Sequence, residues 1–267
     1  MDNRPIGVFD SGVGGLTVLR EIIRAVPNEN TIYFGDTARV PYGPRNLLEV
    51  KRFVFKITEF LASQDVKMIV VACNTSTAAA IDDLKEKFDI PVIGVIEPGA
   101  RTAVKQTKNM RVGVIATKGT VESNAYKIAI NKLNPSMEVF QMAAPLLVEY
   151  VERGTLNGKS LKSIIYEYIK PLNDFGIDVL ILGCTHFPLI EDDIKSCCRE
   201  DTSVISSAVE TAVDVKNILA EKNLKADAKL EARRIFYETG KDSRFLEVGK
   251  RFLGSEIKEV ENIELIM

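Results

Sequence analysis

The chain has 267 residues, of which 46% are hydrophobic and 27% charged, a balance that excludes gross disorder and fibrous repeats. Its 35 Lys and Arg against 37 Asp and Glu give a formal charge of −2, which leaves no basic footprint for nucleic acid or an anionic membrane. Trp is absent and His186 is the only histidine, so His-rich metal sites and repeated histidine acid–base devices are excluded.

At about 150 residues per domain, the length suits one large or two small domains. The stretch Met1 to Pro5 lacks an apolar signal core, and no apolar run reaches the roughly 18 residues of a membrane span. The expected location is cytoplasmic. The four cysteines, Cys73, Cys184, Cys197 and Cys198, contain no C-x-x-C pair, so free thiols are expected rather than a disulfide framework.

Short apolar, β-branched runs alternate with amphipathic stretches, the pattern of an α/β protein with mainly parallel sheets. Pro5 to Phe9 reads as a strand and Asp10 to Gly15 as a loop, after which Leu16, Leu19, Ile23 and Val26 fall at helical spacing. Thr31 to Phe34 reads as a strand, Leu47 to Ser63 as a helix and Lys67 to Val71 as a strand closed by Cys73-Asn74-Thr75. An alanine-rich helix to Phe88 follows, then a strand from Pro91 to Ile96 that ends in Glu97-Pro98-Gly99.

The second half repeats this grammar. Arg111 to Ala116 reads as a strand ending in Thr117-Lys118-Gly119-Thr120 with a helix after it, and Val139 to Met142 as a short extended segment. Helices are predicted over Pro145 to Arg153 and Ser160 to Phe175. Asp178 to Leu182 is a strand closed by Gly183-Cys184-Thr185-His186, with a helix after Pro188; Val204 to Ser207 matches the strand that follows Cys73's unit. Each half thus pairs an apolar strand with a cysteine-bearing loop and a helix. Two similar lobes are predicted, residues 1–97 plus 207–267 and residues 98–206, each presenting one cysteine where ligands bind in open α/β sheets.

The glycine loop Asp10 to Gly15 is not a nucleotide site. G-x-G-x-x-G needs glycine where Thr17 stands, and a Walker A match from Gly7 needs lysine at Val13. Its glycines serve a tight turn, while Asp10 and Ser11 stand at a strand exit with side chains free to meet a ligand. A single free cysteine is ordinarily a small core residue. Cys73, however, is followed by the polar run Asn74 to Thr77 opening a helix, whose free N–H groups stabilise a thiolate or bind a carboxylate. Cys184 has Thr185, His186 and Pro188 after it. His186, two residues from that thiol, is either a hydrogen-bonded loop histidine or a group that tunes the sulfur. A zinc site from Cys73, Cys184, His186 and an acid matches no standard spacing. Cys197 and Cys198 lie in a charged helix without counterparts and read as structural.

Two thiols on opposite sides of one cleft suit a reaction that moves a proton between the faces of a carbon. One thiolate removes the proton, the other thiol delivers one, and nearby donors stabilise the carbanion. No pyridoxal-phosphate signature accompanies them, so the thiols act without a cofactor in this reading.

The stretches Ile6 to Leu16 (IGVFDSGVGGL), Pro41 to Arg45 (PYGPR), Ile69 to Thr75 (IVVACNT), Val92 to Arg101 (VIGVIEPGAR), Arg111 to Thr120 (RVGVIATKGT) and Ile181 to Pro188 (ILGCTHFP) carry a resemblance to the bacterial glutamate racemases that runs nearly end to end. The resemblance implies interconversion of L- and D-glutamate for peptidoglycan synthesis, no cofactor or metal, a cleft between two α/β lobes, and a homodimer. It implies Cys73 as the acid/base for the D-enantiomer's α-proton and Cys184 for the L-enantiomer's, with Asp10 and His186 assisting. Asp10, Ser11, Tyr42, Gly43, Asn74, Thr75, Thr117, Thr120, Thr185 and His186 match substrate-lining positions, and Glu152 matches an acidic position near the second thiol. Ala144-Pro145 stands where many members have Cys-Pro, and Glu149 where proline is common. Two alternatives remain open: a related aspartate racemase, and a catalytically silent binding protein for an acidic amino acid.

Overall fold

Strands buried on both faces need near-continuous apolar runs, and those runs form the sheets of the computed structural model, which describes residues 1–240 and 244–265. In chain order the first elements are β1 (Ile6–Asp10), α1 (Leu16–Ala25), β2 (Thr31–Gly35), α2 (Leu47–Ser63), β3 (Met68–Val71), α3 (Asn74–Lys87) and β4 (Val92–Gly94). Next come α4 (Ile96–Gln106), β5 (Arg111–Ala116), α5 (Lys118–Glu122), α6 (Ala125–Leu133), β6 (Glu138–Ala143), α7 (Pro145–Glu152), α8 (Lys159–Asp174) and β7 (Val179–Gly183). A 3-10 turn over Phe187–Ile190 leads to α9 (Glu191–Cys197), β8 (Ser203–Ser206), α10 (Ser207–Glu221), β9 (Arg234–Glu238), α11 (Phe245–Leu253) and β10 (Glu261–Asn262).

These elements divide into two compact units, Met1–Val95 with the chain from Ala208 onward, and Ile96–Ser207. The first holds a six-stranded sheet in the order β10-β9-β2-β1-β3-β4, the second a four-stranded sheet in the order β6-β5-β7-β8. All paired strands in both are parallel.

Alternation along the strands sorts the first unit's core into two layers. Val8, Tyr33 and Val70 point to the face covered by Leu16, Leu19, Val215 and Phe245. Phe9, Phe34 and Val71 point to the face covered by Val50, Val54, Ile57 and Leu61, which form the apolar stripe of α2 at helical spacing. Asn46 caps that helix, its side chain accepting from the Leu48 N–H at 2.8 Å, so the helix starts where predicted. In the second unit Ile115, Leu180 and Leu182 pack with Leu161, Ile165 and Ile169 of α8.

Three expectations need correction. Glu97-Pro98-Gly99 does not close a strand but lies in the first turn of α4. Proline costs no hydrogen bond there, because the first N–H groups of a helix have no intrahelical partner. Likewise Lys118 to Thr120 already belong to α5, with Thr117 as its cap. Cys198 lies just past the end of α9 rather than on it. Among the described residues, no helix is long and apolar enough to cross a membrane.

Candidate active site

Both sheets reverse their winding direction at one place. In the first unit the chain steps from β1 to β2 on one side and then crosses to β3 on the other. The second unit does the same with β5, β6 and β7. A crevice outside the carboxyl ends of the strands opens at such a switch point. Asp10 ends β1 and Cys73 follows β3, while Thr117 follows β5 and Cys184 follows β7. The two cysteines therefore occupy equivalent topological positions.

In the first unit Asp10 is fully buried. Its Oδ2 accepts from the backbone N–H groups of Gly12 (3.3 Å) and Gly15 (3.0 Å), folding the glycine loop over the strand end. A Cβ at Gly15 would lie 2.5 Å from the Asp10 Cβ, so that close approach requires glycine. Asp10 Oδ1 has no hydrogen-bond partner among the described residues. Ser11 is buried beside it. On the neighbouring strand Cys73 caps α3, its sulfur accepting from the Ser76 N–H at 3.5 Å. The positive end of the helix dipole faces that sulfur, an arrangement that favours negative charge. Asn74 and Thr75 are buried in the first turn.

Tyr42 and Gly43 are buried as well. The Tyr42 hydroxyl donates to Asp36 Oδ2 at 2.5 Å, and Asp36 Oδ1 accepts from Arg39 Nη1 and Thr239 Oγ1, each at 2.7 Å. Burial, then the Asp36 charge, raise the Tyr42 phenol well above its ordinary value, so its proton stays committed to Asp36. Asp36 carries no signal in the local sequence, because it is recognisable only through partners such as Thr239, distant in sequence.

The second unit surrounds its cysteine differently. Cys184 is followed by a turn and the 3-10 segment, not by an α-helical N-terminus, so the predicted equivalence of the two thiol environments stops at the strand ends. Pro188 falls in that 3-10 segment, which starts one residue earlier than the predicted helix. In place of a helix dipole, Cys184 has His186, whose Nδ1 lies 3.6 Å from the sulfur. The other ring nitrogen, Nε2, is hydrogen-bonded to Glu152 Oε1 at the end of α7. Burial lowers the imidazole's pKa, but hydrogen bonds to Cys184 and Glu152 and their charges outweigh it, holding His186 well above its ordinary value. A buried proton on His186 places positive charge beside the sulfur. Thr117 Oγ1 accepts from the Thr120 N–H at 3.4 Å, the two hydroxyl oxygens lie 3.0 Å apart, and Thr185 is buried with them.

Cys197 and Cys198 stay outside this chemistry. Burial pushes the Cys197 thiol up and the Cys198 thiol up to about 12, which suits inert packing residues. Among the described residues, no group of three or more His, Cys, Asp or Glu is placed to hold a metal ion.

Two parallel α/β sheets of matching topology, each with a thiol at its switch point, define a duplicated α/β enzyme with one thiol per unit. The chain belongs to the Asp/Glu/hydantoin racemase family, whose profile matches residues 6–215. A glutamate racemase of Oceanobacillus iheyensis is 47% identical over 249 residues, covering 93% of this chain and 91% of that relative. The crystal structure of a glutamate racemase isoform from Bacillus anthracis superposes with a TM-score of 0.95 at 45% identity, covering 99% of each chain. That of the Francisella tularensis glutamate racemase in complex with D-glutamate superposes at 0.93 with 39% identity and the same coverage.

Proposed function

We infer that this protein interconverts L- and D-glutamate, supplying the D-enantiomer for peptidoglycan. The observation that carries the reading is the equivalent placement of Cys73 and Cys184 at the switch points of two matching sheets. In this reading one thiolate removes the α-proton and the other thiol protonates the planar carbanion on its opposite face. Protonation on that face inverts the configuration and leaves the two thiols with exchanged protonation states. Cys73 takes the proton of D-glutamate and Cys184 that of L-glutamate.

Each thiolate has its own support in this reading: the N-terminus of α3 for Cys73 and the His186–Glu152 pair for Cys184. Asp10, with one carboxylate oxygen bonded to its own loop, uses the other toward the substrate ammonium group. The N–H groups and hydroxyls of Ser11, Gly43, Asn74, Thr75, Thr117, Thr120 and Thr185 hold the two carboxylates, and Tyr42 fixes the loop that carries Gly43. The same reading carries a cytoplasmic location and a homodimer, the latter tested by sedimentation.

Incubating L-glutamate with the protein in deuterated water tests the function. The α-proton signal and the optical rotation should decay together. Binding of glutamate with no α-proton exchange would overturn the reading in favour of a silent binding protein, and faster turnover of aspartate would move the substrate.

A further inference from the structure

One fully buried titratable group close to Cys184 takes no part in the chemistry above. Tyr126, in α6, has no exposed surface. Its ring lies directly under the strand end that carries the thiol, since a Cβ at Gly183 would sit 3.1 Å from Tyr126 Cε2. The hydroxyl of this ring is hydrogen-bonded to Ser207, the last residue of the second unit before the chain passes to the first. The opposite crossing comes to the same point. Gly99, in the first turn of α4 just after the chain enters the second unit, would with a Cβ lie 3.3 Å from both Ser207 Cβ and Tyr126 Cε1.

Such a buried hydroxyl costs free energy unless bonded, and a less demanding phenylalanine would fill the same space. The polar group therefore asks for an explanation. A side chain locked at one end by a hydrogen bond and packed at the other against a reactive loop fixes that loop's position, and proton transfer is sensitive to small displacements.

We propose that Tyr126 is a positioning residue for Cys184, holding the thiol-bearing strand end in register with the two segments through which the chain enters and leaves the second unit. The ring supports Gly183 and Cys184 from below, and the bond to Ser207 keeps the ring from sliding. Tyr126 itself exchanges no proton with the substrate.

The proposal rests on the racemase reading, and its test separates the two. The wild-type protein is first shown to exchange and invert glutamate; failure there removes the reading itself. Tyr126→Phe and Ser207→Ala then delete the same hydrogen bond from opposite ends while keeping the ring. Each should lower kcat/KM about five- to tenfold, the scale of one lost neutral hydrogen bond, and the double variant should lose no more than either single one. Ser207→Thr, which retains the hydroxyl, should restore most of the rate.

The deciding readout is the primary isotope effect with α-deuterated substrates. Slowing only the Cys184 step makes that step more rate-limiting. The isotope effect should therefore rise from the enantiomer whose proton Cys184 removes and fall from the other. A merely structural role would reduce the amount of active enzyme and leave both isotope effects at wild-type values. That result, or wild-type rates in both single variants, would overturn the proposal.

Discussion

Replacing Glu152 by Gln probes the link between His186 and Cys184. Glutamine keeps a carbonyl oxygen able to accept from Nε2–H, so the change removes charge while conserving shape. A hydrogen bond to a charged group nets about 1.5–3 kcal/mol. The Glu152 side chain retains 32% exposure, and solvent screening places its contribution at the low end of that range, about 1.5 kcal/mol. At about 1.4 kcal/mol per pKa unit, His186 should then titrate about one unit lower. Activity that needs the proton on His186 is lost as pH rises through its pKa. The alkaline limb of the kcat/KM profile should move down by the same unit, with a loss of about tenfold on that limb. Because the equilibrium constant between enantiomers is unity, kcat/KM must fall equally in both directions, and only kcat and KM separately can differ. Circular dichroism of the racemisation, run from each enantiomer across neutral to alkaline pH, measures all of these. An alkaline limb that stays in place in Glu152→Gln would refute the coupling, whatever happens to the rate.

Further expectations follow from the same geometry. Cys73→Ala and Cys184→Ala should each lower racemisation by at least about 10²- to 10⁴-fold, the span for one lost acid–base group, and near-normal turnover by either would refute the two-base assignment. His186 also links pH to stability, because its folded pKa lies above the ordinary value of 6.5. Its stabilising contribution is full below about 6.5 and disappears as pH rises through the folded value, so the wild-type minus Glu152→Gln difference in Tm should shrink across that window. Far from the thiols, Lys67 has a fully buried side chain and donates to Glu29 Oε2 (2.5 Å) and to the Asp2 carbonyl (2.6 Å). Lys67→Ala strands the buried Glu29 carboxylate and should cost about 3–5 kcal/mol in denaturant unfolding, with kcat unchanged at temperatures where the variant is folded.

Sequence reasoning reached furthest where local physics decides. The apolar stripe of α2 marks both of its ends, and the strands through β8 lie within one or two residues of their apolar runs. It stopped where partners are distant. Elements α10, β9, α11 and β10 carry no comparable local signal; β9 is a strand because it pairs with β2, some two hundred residues earlier in the chain, and β10 has only two residues. The environment of Cys184 shows the same limit. His186 is close to Cys184 in sequence, whereas Glu152 lies 34 positions away from it and is marked by the family resemblance alone. The 3-10 segment after Cys184 reads as a helix from sequence because Pro188, four residues beyond the cysteine, is compatible with both.

The interrupted layout of the first unit bears on how the chain is made. Residues 96–207 form one contiguous unit, whereas the first unit draws β9 from beyond it. A nascent chain that has emerged only to residue 207 can complete the second unit and pair β1 to β4, but β2 is then a sheet edge with unsatisfied backbone groups. Bare strand edges are templates for pairing with other chains, and incompletely assembled domains are exposed to aggregation during synthesis. Folding of the half that carries Cys73 therefore waits on translation of the segment from Ala208 onward, which supplies β9, and during that interval the ribosome-bound protein needs shielding at β2.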